Sequence, residues 1–148
     1  MILLPERISA KIREVIAQRE GTPIDEEARS HGAIALMGTI GAIWMLRPDG
    51  TLWDADADFG KPLTPLSEEF HTMAIVEGIE RFPWLGELLP ERPPGAQDCA
   101  ACAGRGFFET GYTEPPLASR ILCQTCHALG WVGPSNPALN PTGLRPAG

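Results

Sequence analysis

No stretch of this chain stays apolar for the ~18 residues that suggest a membrane-crossing helix. The longest candidate, residues 33–46, is broken by Gly38, Thr39 and Gly41. A secretion signal is missing too, since Glu6 and Arg7 arrive too early to leave room for the apolar core of a signal peptide. The chain is therefore expected in the cytoplasm, with no membrane among its partners. Catalytic signatures are also absent. The sequence holds no Gly-x-Ser-x-Gly, no phosphate-binding loop, no Gly-x-Gly-x-x-Gly and no His-Glu-x-x-His. A non-enzymatic role is the expectation. Cations are scarce where a nucleic-acid module would need them. Residues 96–148 carry three basic and three acidic side chains and no lysine. Without a Lys/Arg cluster for the phosphates, nucleic acid is excluded as an expected partner.

Cysteine is confined to two short pairs, Cys99-Ala-Ala-Cys102 and Cys123-Gln-Thr-Cys126. Two intervening residues let the backbone turn so that both sulfurs of a pair face one ion, and four thiolates suit tetrahedral Zn²⁺. Gly104, Gly106 and Gly130 follow the pairs, as tight turns around a metal require. The spacing predicts one structural Zn²⁺ per chain, held by Cys99, Cys102, Cys123 and Cys126. Two rival readings are a redox dithiol and a pair of disulfides. A redox Cys-x-x-Cys usually stands alone at the start of a helix in a βαβ setting. Disulfides need an oxidising compartment.

The run Cys99-Ala-Ala-Cys102-Ala-Gly104-Arg-Gly106 resembles the C-x-x-C-x-G-x-G unit of the DnaJ chaperone cysteine-rich domain. The second run, Cys123-Gln-Thr-Cys126-His-Ala128-Leu-Gly130, keeps both cysteines and the later glycine but has Ala128 in place of the first. In that family two such units join to hold one zinc on an extended β-hairpin scaffold, so one pair of units here implies one zinc. The resemblance spans residues 97–133, a quarter of the 148. It implies metal binding rather than chaperone work. Upstream there is no His-Pro-Asp tripeptide, which argues against recruitment of a chaperone ATPase.

The rest of the chain reads as an α+β domain, a small antiparallel sheet flanked by helices, followed by a zinc-knuckle β-hairpin module. Residues 4–20 place Leu4, Ile8, Ile12, Val15 and Ile16 at helical spacing. A short second helix is expected from Asp25, ended by His31-Gly32. Residues 33–58 read as β structure, with Ile34, Leu36, Ile40, Trp44 and Leu46 on one face and small residues on the other. Pro48-Asp49-Gly50 is a strong turn signal. Thr64-Pro65 is expected to open a helix running to Arg81, with Thr64 as its N-cap. The proline-rich run at 90–95 is the expected joint, giving an α+β domain over 1–92, a four-cysteine zinc module over 93–133 and a disordered tail over 134–148.

Two surfaces are candidates for a protein partner. Phe107, Phe108, Tyr112 and Trp131 flank the cysteines, and a small module has little core in which to bury them. From these, Phe107, Phe108 and Trp131 are the expected binding residues. Asp54, Asp56 and Asp58 alternate along a predicted strand end in an acidic chain of formal charge −7. They open like a calcium loop, but the sixth position is Phe59 and the twelfth Pro65. An acidic patch for a partner is the better reading. The expected function is a zinc-binding interaction or adaptor protein. The alternatives are an acidic inhibitor or immunity-type protein that masks a basic partner, and a thiol-disulfide oxidoreductase.

Overall fold

The first helix, α1 (Glu6–Ile16), starts behind Pro5 with Glu6 at its positive end and Arg13 in its last turn, both favourable to the helix dipole. Ile8 and Ile12, one turn apart, are fully buried. In α2 (Pro23–Ser30), Thr22 caps the start. Its hydroxyl accepts from the Asp25 amide while the Asp25 carboxylate accepts from the Thr22 amide, and Pro23 fills the first turn. The computed structural model describes residues 2–39, 42–55, 62–111, 120–133 and 136. It divides into two units, Met1–Leu88 and Leu89–Gly148. This division falls a few residues ahead of the proline-rich joint. No described helix is long and apolar enough to cross a membrane.

In the first unit four strands, β1 (Ile34–Thr39), β2 (Ala42–Leu46), β3 (Leu52–Ala55) and β4 (Thr64–Pro65), form a sheet in chain order. Every pairing is antiparallel, so the unit mixes helices with a small antiparallel sheet. The turn between β2 and β3 forms as its residues dictate. The Gly50 amide donates to the Arg47 carbonyl and the Arg47 amide to Thr51, each at 3.0 Å. Asp49 accepts from the Thr51 amide and hydroxyl. Gly50 sits at φ +86°, and a Cβ there would lie 1.9 Å from the Ile2 carbonyl oxygen, so only glycine fits.

Alternation sends the two faces of the sheet to different helices. Ala33, Ala35, Ile43, Met45 and Ala55 cluster with Ala28 of α2. Ile34, Leu36, Leu46 and Leu52 are buried on the other face. There α3 (His71–Ile79) packs on β1. A bulge between Ala35 and Met37 shifts the register, and Leu36 points at α3. A Cβ on Gly78 would meet Leu36 at 2.7 Å and Leu85 at 2.8 Å, so α3 lies closer than any larger residue allows. Leu85 belongs to a short 3₁₀ stretch, Pro83–Leu88.

The helix expected from Thr64 begins later. Thr64–Pro65 pairs with Trp53 and Asp54 as an edge strand, where the amide that proline lacks is not needed. A 3₁₀ turn, Glu68–Phe70, then leads into α3 at His71. Trp44 and Trp53 do not face each other across the hairpin, since Trp44 pairs with Asp54 and Met45 with Trp53. Of the acidic triplet, Asp54 lies on β3 and half-buried, while Asp56 and Asp58 lie outside the described residues. The tail expected over 134–148 also lies outside them, apart from Asn136.

Arg81 ties these layers together at the β1 edge. One guanidinium nitrogen donates to the Ala35 carbonyl at 2.7 Å and the other to Asp25 of α2 at 2.6 Å. Burial raises the Asp25 pKa, but the Arg81 hydrogen bond and charge and the Thr22 donors outweigh it and hold the carboxyl below its ordinary 3.8. A carboxyl depressed in the folded state adds stability above its unfolded value, and that stability is lost as pH falls through the folded value. Replacing Asp25 with Ala should cost about 1–3 kcal/mol at neutral pH. It should also flatten the stability loss between about pH 4 and pH 2. Urea titrations of both proteins across that window check it.

Candidate metal centre

The described residues of the second unit form two short antiparallel ribbons. β5 (Gln97–Asp98) pairs with β8 (Trp131–Val132), and β6 (Phe107–Glu109) pairs with β7 (Arg120–Leu122). Each ribbon joins the chain on one side of one cysteine loop to the other side of the second. β5 enters the loop of residues 99–106 and β6 leaves it. β7 enters the loop of residues 123–130 and β8 leaves it. The two loops therefore face each other, and their Sγ atoms meet between them.

The loops share their principal hydrogen bonds. Gly104 donates to the Cys99 carbonyl and Ala128 to that of Cys123, at 3.0 and 2.8 Å. Gly106 donates its amide to Cys102 Sγ at 3.1 Å, and Gly130 to Cys126 Sγ at 3.2 Å. The Cys99 amide reaches the Gly130 carbonyl, and the Cys123 amide reaches that of Gly106. These reciprocal bonds define an approximate two-fold relation. They also bring the backbones too close for side chains. A Cβ on Gly106 would lie 2.5 Å from the Ala128 carbonyl oxygen, and one on Gly130 2.5 Å from that of Gly104.

All four cysteines are free thiols and at most 4% exposed. Their sulfurs all lie within 4.8 Å of one another. Cys99 and Cys123 Sγ are 3.9 Å apart, and Cys102 and Cys126 Sγ 3.7 Å. The set fits a metal ion on two grounds. The donors are uniformly soft, and backbone amides at Gly106 and Gly130 already point at two sulfurs as they do toward thiolates. Burial pushes the Cys99 and Cys126 thiols up. At Cys102 burial acts in the same direction, but the Gly106 amide and the neighbouring sulfurs outweigh it and hold that thiol below its ordinary value. A divalent cation would remove the conflict among four buried sulfurs by stabilising all of them as thiolates.

The structure brings the four predicted ligands together and separates the predicted aromatics. Phe108 is 43% exposed, Phe107 is half-buried under the Arg105 guanidinium, and Trp131 is 5% exposed. Trp131 is thus a core residue, contrary to its expected place on a binding face. Tyr112 lies outside the described residues. Sequence reasoning also missed two residues. Ile121, 60% exposed, lies opposite Phe108 across the β6–β7 ribbon. Asn136, 3% exposed, closes over the second loop. Its amide nitrogen donates to the Cys126 and Trp131 carbonyls and its amide oxygen meets His127 Nδ1 at 2.6 Å. Alternation along 120–122 could have pointed to Ile121, whereas a lone asparagine before Pro137 reads only as a turn.

No known protein family, curated protein or solved structure matches this chain.

Ala128 carries a cost that glycine would not. It holds φ +66° where the corresponding residue of the first loop is Gly104, and an L side chain in that region costs roughly 1–2 kcal/mol. Ala128→Gly should therefore stabilise the second unit by about 1 kcal/mol. Chelator-competition and thermal melts should both shift upward. An unchanged or lower midpoint would mean that packing of the Ala128 methyl outweighs its backbone strain.

Proposed function

We propose that this chain is a non-catalytic protein-binding protein whose second unit is a zinc-stapled module of the DnaJ-like kind. The observation that carries the metal reading is the cluster of four buried thiols. A tetrahedron with metal–sulfur bonds of ~2.3 Å has edges of about 3.8 Å, and the two cross-loop distances are 3.7 and 3.9 Å. Four thiolates complete the coordination of Zn²⁺ and leave no position at which to activate water, so the ion is structural. A thiol oxidoreductase needs an accessible attacking thiolate, and burial of all four sulfurs weighs against that alternative.

The partner reading rests on the ribbon the loops support. Phe108 and Ile121 form a cross-strand pair exposed on one face, while Leu122, next along β7, is buried. The pair is an apolar patch held on a rigid support, a setting that marks protein contacts. A second reading keeps the acidic first unit as the binding element. Residues 1–88 hold fifteen acidic and eight basic side chains, residues 89–148 four of each, so the first unit carries the whole charge of −7. Such a surface would speed association with a basic partner and make it strongly salt-dependent.

Protein purified without chelator should carry about one zinc per chain, and a content below half an equivalent would end the metal reading. Removing the ion should unfold the second unit, because zinc modules of this size draw their folding free energy from the metal. Circular dichroism and proteolysis after chelation report it. For the partner, Phe108→Ser with Ile121→Ser should abolish capture of proteins bound by the wild type and leave zinc content unchanged. If capture survives that double variant but falls with rising salt, the acidic surface is the binding element.

A further inference from the structure

The two cysteine loops are alike in main-chain geometry and unlike in what holds them. Asn136 uses every polar group it has. Its amide and carbonyl exchange hydrogen bonds with Gly133 at 3.0 Å. Its side-chain nitrogen donates to Cys126 O at 2.7 Å and to Trp131 O at 2.5 Å, which leaves its oxygen as the acceptor facing His127 Nδ1. One buried side chain thus fastens the ligand Cys126, the residue after it and the strand that leaves the loop. Among the described residues no side chain donates to a main-chain carbonyl of the first loop. That loop is also the more open one. Ala101, Ala103 and Arg105 are exposed, whereas their counterparts in the second loop, Thr125, His127 and Leu129, are half-buried or buried.

We infer that Asn136 is a positioning residue that makes the centre lopsided, so that metal leaves by way of the first loop, with Cys99 and Cys102 letting go before Cys123 and Cys126. This rests on the reading of the cluster as a zinc site. Dissociation of a four-thiolate centre begins when one ligand moves far enough for a competing thiol-reactive or chelating group to enter. The loop that is more exposed and, among the described residues, less restrained by side chains makes that movement more often. Asn136 suppresses it at Cys126 because opening there would strand two buried carbonyls and a buried imidazole nitrogen without partners. The first loop is therefore the hand through which metal is surrendered to a chelator, an electrophile or a metal-accepting thiol.

Zinc-loaded full-length protein is exposed to N-ethylmaleimide for times that modify less than one site per chain, with zinc content measured on the same sample. Trypsin cleaves at Arg105 and Arg120 and so places the two cysteine pairs on separate peptides for mass spectrometry. In the wild type, label should accumulate on Cys99 and Cys102 first. In Asn136→Ala the second loop should speed up selectively, lowering the ratio of first-loop to second-loop labelling about tenfold. Asn136→Asp keeps an acceptor for His127 and loses both donors, so it should behave like the alanine variant. Equal labelling of the two loops in zinc-loaded wild type overturns the inference while leaving the zinc site intact. Acceleration of both loops alike in Asn136→Ala overturns the positioning role, since a general loss of structure would do that. Wild-type ordering in Asn136→Asp overturns the assignment to the two donors. Protein that holds no zinc as purified removes the metal reading and the inference with it. The order in the wild type decides the route of release even if the Asn136 variants fail to retain metal.

Discussion

Sulfur occupies the place in the second unit that aliphatic carbon occupies in the first. Among the described residues the buried set there is dominated by Cys99, Cys102, Cys123 and Cys126, packed with Val132, and the remaining apolar contribution comes chiefly from Leu122 and Trp131. Burying a few such side chains stabilises by only about 1.5–3 kcal/mol each, against an ordering cost of roughly 1–2 kcal/mol for every residue fixed. The difference has to come from whatever brings the four sulfurs together. The ribbons, the reciprocal loop hydrogen bonds and the display of Phe108 and Ile121 all depend on that one junction. The first unit needs nothing comparable, because its sheet has helices on both faces.

Features coded over short distances were legible in the sequence. The spacing of two residues within each cysteine pair, the turn residues Pro48, Asp49 and Gly50, and the one-turn spacing of Ile8 and Ile12 all act within a few positions of themselves. So does the small antiparallel sheet, whose strands follow one another in order. Features decided at longer range were not legible. Thr64-Pro65 has the local chemistry of a helix start, yet the open edge of β3 offered hydrogen bonds that recruited it as a strand. Tertiary pairing overrode local preference there.

The candidate site divides along the same line. The meeting of its four cysteines could be read because their paired spacing allows few alternatives. Trp131 misled because an aromatic beside a small cysteine loop looks superfluous to the core, whereas its side chain is only 5% exposed. Asn136 gave no sign at all. It lies ten residues beyond Cys126 in a stretch whose prolines suggested a tail. Its importance comes from being buried with three partners, a property of the fold and not of its neighbours in sequence.

Ala103, His127 and Ala128 all adopt positive φ, between 54° and 66°, in a region that L residues enter at a cost of roughly 1–2 kcal/mol each. The loop hydrogen bonds from Gly104 to Cys99 and from Ala128 to Cys123 help to offset that cost, as does the Asn136 contact with His127. If the cluster takes up an ion as proposed, part of the binding free energy would offset this backbone cost. Uptake would then be coupled to folding, with a rate set by how often the two loops wind up together as well as by diffusion of the ion.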